Sequence, residues 1–275
     1  MKSLSTNLGL GFLLSWIIVF VASAGFAQHA TGDKQSTTGQ STRRRVPTSS
    51  ATTEGTSEFF GLRVGSRWVY TVHGKRTGDG EHAQILPING SYTEEIVSMR
   101  NFGSHVRLVE FVAEGFPVIY ERCSKGDKTN SGDHEKMRFW YIVDRKQVRI
   151  SCTQEEANQT AKSLAAAPSG RVSEDDPDYL LPFKVGASWG ADPSEPKRTD
   201  SFYQWNVEAM QDLILPAGRF KGCYELTYRT LPDHEYKWVC SGAGLVVDEY
   251  QHHGTVDEYR VELQSYTPGP ISPVR

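Results

Sequence analysis

One five-residue phrase, Val-Gly-x-x-Trp, occurs twice in this chain, as Val64-Gly65-Ser66-Arg67-Trp68 and as Val185-Gly186-Ala187-Ser188-Trp189. The copies start at 64 and 185, 121 residues apart. Each follows an aromatic-rich lead-in, Phe59-Phe60 before the first and Tyr179-Leu180-Leu181-Pro182-Phe183 before the second. Each then opens a series of short alternating segments. Recurrence at that distance predicts a duplicated unit of roughly 90–120 residues, within the ordinary size of a domain. The glycine of each copy suits a turn, and the tryptophan suits a buried position on the strand that follows. Gly65, Trp68, Gly186 and Trp189 are therefore read as structural residues.

Past residue 58 the dominant period is two. Segments such as Arg67–His73, Tyr92–Met99, His105–Val112, Lys136–Val143, Cys223–Thr230 and Asp257–Tyr266 are short and rich in β-branched and aromatic residues. Clusters of Gly, Asn, Asp and Ser separate them, as antiparallel meanders require. The expected fold is mainly β, with two tandem antiparallel meander domains, 58–152 and 179–267, each a curved sheet or partial barrel. Between them, 153–178 reads as a linker. Its Thr153-Gln154-Glu155-Glu156 has the form of a capping box, which predicts a short helix. The apolar content of that helix is mostly alanine, favouring a linker over a cover for a sheet. Residues 268–275 form a Pro-rich tail.

Residues 1–27 carry a single charge, Lys2, then an apolar run from Leu8 to Phe20 and a small-residue ending at Ala22-Ser23-Ala24 and Gly25-Phe26-Ala27. This is the layout of a cleaved secretory signal, with an uncleaved anchor as the alternative. Residues 28–57 are Ser, Thr, Gly and Gln with Arg43-Arg44-Arg45, too polar to offset the entropy of ordering, and read as a disordered spacer. Cleavage after Ala27 would remove Lys2 from 30 basic residues and none of the 33 acidic ones, so 29 face 33 and the net charge is −4. A charge that small points to no nucleic acid and no membrane surface as partner. No membrane span remains after cleavage, and the protein is expected to be exported, periplasmic or extracellular.

Patterns that carry chemistry are sparse. Gly-x-Ser-x-Gly, the phosphate-cradling Gly-x-x-x-x-Gly-Lys, His-Glu-x-x-His and closely spaced Cys-x-x-Cys are all absent. Gly242-Ala243-Gly244 is too short for a dinucleotide loop and suits a tight turn between strands. Asp133-His134-Glu135 and Asp233-His234-Glu235 are identical triplets. In a meander the turn before His234 should neighbour the turn at Gln251–Gly254, bringing Asp233 and His234 near His252 and His253. Imidazoles and a carboxylate on adjoining loops could hold zinc or copper. The plainer reading is that turns collect polar residues, so no metal and no cofactor are expected. Five tryptophans lie outside the signal segment. They could line an apolar ligand cavity, but two β-domains need large residues for their cores.

Four cysteines in an exported chain favour disulfides. The nearest pairings are Cys223–Cys240 across one hairpin and Cys123–Cys152. Hydrophobic register speaks against the first. Matching Tyr224, Leu226 and Tyr228 with Tyr236 and Trp238 sends Cys223 and Cys240 to opposite faces unless a bulge intervenes.

The second half resembles a domain recurrent in uncharacterised bacterial exported proteins and lipoproteins. The resemblance rests on Leu181-Pro182-Phe183-Lys184-Val185-Gly186-Ala187-Ser188-Trp189, on Leu215-Pro216-Ala217-Gly218-Arg219-Phe220 and on Trp238-Val239-Cys240-Ser241-Gly242-Ala243-Gly244-Leu245-Val246. It covers roughly 179–267. The first half matches only in Leu62–Trp68 and in strand layout. Cys240 stands where the pattern usually lacks cysteine, and no lipid-anchoring cysteine follows the signal. The resemblance implies a curved sheet or partial barrel in the bacterial cell envelope, similar to lipoprotein carriers, and no known reaction. Its motifs are structural: Pro216 presets a turn dihedral, Gly218 permits a positive φ, and Phe220 returns the chain to the core. The expectation is thus an exported protein without catalytic activity, acting by binding or scaffolding in the envelope, its partner open between an envelope protein and an apolar ligand. The alternatives are a carrier of an apolar ligand in the concavity of the sheet and a secreted metal-dependent enzyme or hydrolase.

Overall fold

The structure, a computed structural model, describes residues 53–77, 84–115, 136–167, 177–190, 200–254 and 257–270. The expected signal segment, nearly all of the spacer, Asp133-His134-Glu135 and Cys123 lie outside them. Helix α1 spans Thr53–Phe59 and α2 spans Gln154–Ala166. The strands are β1 Arg67–Thr77, β2 Ile85–Phe102, β3 Val106–Gly115, β4 Lys136–Val143, β5 Gln147–Ser151 and β6 Tyr179–Leu180, followed by β7 Ser188–Trp189, β8 Trp205–Leu215, β9 Gly218–Arg229, β10 Asp233–Cys240, β11 Gly244–His252 and β12 Asp257–Thr267. In β1 the alternation is plain. Trp68, Tyr70 and Val72 are buried while Arg67 and His73 face solvent.

The described strands form one 12-stranded antiparallel sheet in the order β6-β5-β4-β3-β2-β1-β12-β11-β10-β9-β8-β7. A mainly β, curved architecture is what the alternation predicts. The meanders, however, are not separate domains divided at 58–152 and 179–267. Strand β1 pairs with β12 from Arg67 opposite Thr267 to Lys75 opposite Glu258, so the halves are joined edge to edge. Their inner faces share one core, in which Trp68, Tyr70, Ile96, Phe111 and Phe139 of the first half pack with Leu226, Val239, Val261 and Leu263 of the second. The physical reason is that either meander alone would leave a long edge strand unpaired and half a core open to water.

The duplication is visible in backbone detail. In the first copy Gly65 N donates to Ile96 O at 2.8 Å, Ser66 N to Arg63 O at 2.9 Å and Ile96 N to Ser66 O at 3.0 Å. In the second, Gly186 N donates to Val207 O at 2.8 Å, Ala187 N to Lys184 O at 2.9 Å and Val207 N to Ala187 O at 2.9 Å. Both glycines hold the left-handed region, with φ of 82° and 85°. Both receiving strands bulge at the same place, between Ile96 and Ser98 in β2 and between Val207 and Ala209 in β8. Trp68 and Trp189 are both buried, and each indole donates to a backbone carbonyl, Ala243 O at 2.7 Å and Pro177 O at 2.9 Å.

The lead-ins also interlock the halves. Gly242 N, in the β10–β11 turn, donates to Phe59 O at 2.7 Å, while Leu181 N donates to Lys146 O, in the β4–β5 turn, at 2.6 Å. Each half thus closes over the other's hairpin. The outermost strands of the sheet, β6 and β7, come from the second lead-in and the copy that follows it, where Phe183 packs between Tyr179 and Trp189.

Helix α2 begins at the N-cap Thr153, whose side chain accepts from Glu156 N. It is more than a linker. Ala157, Ala161 and Leu164, one helical face, are buried against Val106, Leu108, Trp140 and Ile142 on the outside of β3 and β4. Those two strands are apolar on both faces, so the outer one needs a cover.

The Cys223–Cys240 disulfide is present, with the Cα atoms 4.2 Å apart. The even-with-even register expected for β9 and β10 is wrong by one residue. Trp238 stands opposite Glu225 and Val239 opposite Tyr224, and continuing that ladder sets Cys240 directly across from Cys223. Cys152 is also disulfide-bonded, and its expected partner Cys123 lies outside the described residues. Pro216 and Ala217 make the two-residue turn between β8 and β9, and Gly218, Gly242 and Gly244 all have positive φ. The start of the tail folds back, Gly269 N donating to Ser66 Oγ at 2.9 Å.

Candidate functional site

The one-residue shift in register changes what the interior contains. Strands β10 and β11 pair Asp233 with His252, Glu235 with Tyr250 and Lys237 with Asp248. Alternation puts all six side chains on one face. That face is the inner one, because Lys237 and Asp248 lie in a row with Val207, Leu226, Val261 and Val72, all fully buried. A polar seam therefore runs from the rim into the core. One row toward the rim, direct cross-strand neighbours are Trp189, Trp205, Tyr228, Glu235, Tyr250, Tyr259 and Gly74. Trp205, Tyr228, Tyr250 and Tyr259 of this row are half-buried, so it forms an aromatic rim around the seam.

At the floor of the seam the Lys237 ammonium donates to Glu235 Oε1 at 2.5 Å and sits 4.6 Å over the Trp205 ring. Burial works against its charge, yet Glu235 and Asp248 outweigh it and hold its pKa above the ordinary lysine value. Asp248 is 3% exposed, and its Oδ1 has no hydrogen-bond partner among the described residues. Burial pushes its carboxyl up, Lys237 pulls it down, and Glu235 and Glu249 push it up again, leaving it at about 7. Burial first, and nearby carboxylates including Glu94 second, raise Tyr70 and Tyr92 well above the ordinary phenol range. Burial raises Tyr141 and Tyr179 in the same way, with Tyr179 and Asp248 respectively the next cause.

Sequence reasoning missed this seam. In Asp233-His234-Glu235-Tyr236-Lys237-Trp238 the aromatic positions look like the inward ones, and the acidic and basic positions look solvated. The structure reverses the strand.

The four residues singled out as metal candidates do meet at one end of the β10–β11 hairpin, but on two faces. Inside, Asp233 Oδ1 accepts from Tyr250 Oη at 2.6 Å and lies 2.6 Å from His252 Nδ1, while Thr230 Oγ1 donates to Oδ2 at 3.2 Å. Burial raises the Asp233 pKa, but the hydrogen bonds from Tyr250, His252 and Thr230 prevail and lower it. Outside, His253 Nε2 lies 3.2 Å from His234 Nδ1, with Tyr236 Oη 3.4 Å from that same nitrogen. Burial, then His253 and Arg229, lower the His234 pKa. Among the described residues no three His, Cys, Asp or Glu side chains gather at one metal-sized point.

Elsewhere the concavity is filled by its own rings. Phe111 lies 4.7 Å from Phe139 and 4.6 Å from Tyr141, and Tyr70 stacks on Tyr92 at 5.0 Å. Most of the tryptophans and tyrosines that could have lined an apolar cavity instead pack the core.

No family model matches the sequence, and no curated protein matches it. Among solved structures, the chain is similar to a protein from Bacteroides fragilis described as exported with a YmcC-like fold. Identity is 12% and the TM-score 0.39, covering 76% of this chain and 98% of that one. A protein from Parabacteroides distasonis described as a lipoprotein is similar to the same degree, at 12% identity and a TM-score of 0.39 over 76% and 98% of the two chains.

Proposed function

We propose that this is an exported, non-catalytic protein that binds its partner at the rim of the β10–β11 seam. The observation carrying the reading is the half-buried row Trp205, Tyr228, Glu235, Tyr250 and Tyr259 set above the half-buried Lys237 and the buried Asp248. Exposed aromatic faces beside a few fixed polar groups are the usual makeup of a recognition surface. Export is supported by the apolar run and small-residue ending of residues 1–27. No helix among the described residues is long and apolar enough to cross a membrane. The outward face of β11 and β12 carries Glu249, Arg260 and Glu262, ion-paired to one another, unlike the apolar band of a membrane barrel. Against catalysis, the Asp233–His252 pair is engaged by Tyr250 and Thr230 through hydrogen bonds that tie up both carboxylate oxygens.

The test is affinity capture from envelope extract on the immobilised chain, read by lipid and protein mass spectrometry. A partner retained by the native protein should be lost with Glu235→Gln and Tyr259→Ala and kept with Glu155→Ala on the remote helix. A partner indifferent to the rim variants would defeat this reading. Recovery of a stoichiometric apolar lipid would favour the carrier instead.

A further inference from the structure

We propose that the outer side of the same hairpin end binds a divalent transition-metal ion through His234 and His253, with the Tyr236 phenol as a third donor. The two imidazole nitrogens that face each other, His234 Nδ1 and His253 Nε2, are 3.2 Å apart. Two ligands of a tetrahedral ion with bonds of about 2.0–2.1 Å stand about 3.3 Å from each other. The pair therefore already has the spacing of two ligands on one ion. Tyr236 follows His234 by two residues, so it shares the same face of β10, and its Oη lies 3.4 Å from the same nitrogen.

The backbone fixes this arrangement. His234 is held in the ladder between Arg229 and Gln251, and His253 is anchored just past β11 by its amide, which donates to Pro232 O at 3.0 Å. The rings meet at 81° with their centroids 4.5 Å apart, and the Phe202 ring lies 6.5 Å from His234. His253 is exposed and His234 half-buried, so an ion can reach both. Arg229 stands across from His234 in the ladder, and Glu208 pairs with it at 3.2 Å.

Two imidazoles and a phenol leave at least one position for water or a partner's donor. The ion is thus exchangeable and bound more tightly as Cu2+ than as Zn2+. Asp233 and His252 point to the opposite face and take no part. The site is independent of the rim reading, which concerns the inner face.

The experiment is calorimetric titration of the tag-free chain with zinc chloride and with copper sulfate in a non-coordinating buffer, joined to electron paramagnetic resonance of the copper form. Saturable uptake of a single ion is expected, stronger for copper, with nitrogen hyperfine structure in the spectrum. His253→Ala and His234→Ala should each abolish it, Tyr236→Phe should weaken it, and His252→Ala should leave it intact. His253 is exposed, so its variant should melt like the parent, which separates ligand loss from unfolding. No saturable uptake by the parent, uptake that survives His253→Ala, or loss in His252→Ala would each overturn the assignment.

Discussion

Replacing Asp248 by asparagine should make the protein more stable at neutral and alkaline pH and leave it little changed under acid conditions. The carboxyl is held at about 7 against an ordinary 3.8. The folded chain therefore keeps this proton where the unfolded chain has released it. By linkage, stability falls as pH rises from about 4 to about 7 and this group's contribution is constant above that. A difference of about 3 units, at 1.36 kcal/mol each, amounts to ~4 kcal/mol lost across the window. Roughly 3 kcal/mol of that belongs to the span above pH 5. Asparagine has nearly the same shape and does not titrate, and Lys237 keeps Glu235 at 2.5 Å. Urea unfolding of both proteins at half-unit steps from pH 5 to 8 isolates the effect, because every other titrating group is common to the pair. The variant should gain on the parent as pH rises, by up to ~3 kcal/mol at pH 8. Parallel profiles from pH 5 to 8 would show that the Asp248 carboxyl is already ionised throughout that range, so that the attraction of Lys237 matches or outweighs burial and the physical reasoning about the seam is wrong.

Trp189→Ala should cost about 3–5 kcal/mol through the cavity it leaves, and Trp68→Ala a similar amount. Denaturant unfolding checks both, and a loss under about 1 kcal/mol at either would contradict their matched roles. Gly186→Ala should cost about 1–2 kcal/mol by its positive φ alone, since nothing lies within 4 Å of the added carbon. Removing the Cys223–Cys240 bridge with a double alanine variant should lower unfolding free energy by about 3 kcal/mol, as expected for a loop of that length. Non-reducing peptide mapping should recover Cys223 joined to Cys240, and a different partner for either would refute the β9–β10 register.

The period-two alternation, the tight-turn glycines and the repeated Val-Gly-x-x-Trp are local signals, set by backbone sterics and by which side chains avoid water. They were sufficient to predict a curved, mainly β architecture and two burial sites for tryptophan. The Thr153 cap was equally legible, because capping is satisfied within one turn of chain. What could not be read was long range. That β1 would find β12, almost 200 residues on, depends on which edges remain unpaired after both meanders form. Whether α2 links or covers depends on Leu108, Trp140 and Ile142 facing outward, which is meaningless until the strands are side by side. The seam shows the limit most sharply. Strand β10 offers two apolar stripes of nearly equal merit, one through Tyr236 and Trp238 and one through Val239. A shift of a single residue exchanges them, sending Lys237 and Asp248 either to water or to the core. Local pattern has almost no energy with which to choose between those faces. Tertiary packing chooses, because only one register lets Cys240 meet Cys223, Val239 join the buried core and Glu235 close on Lys237.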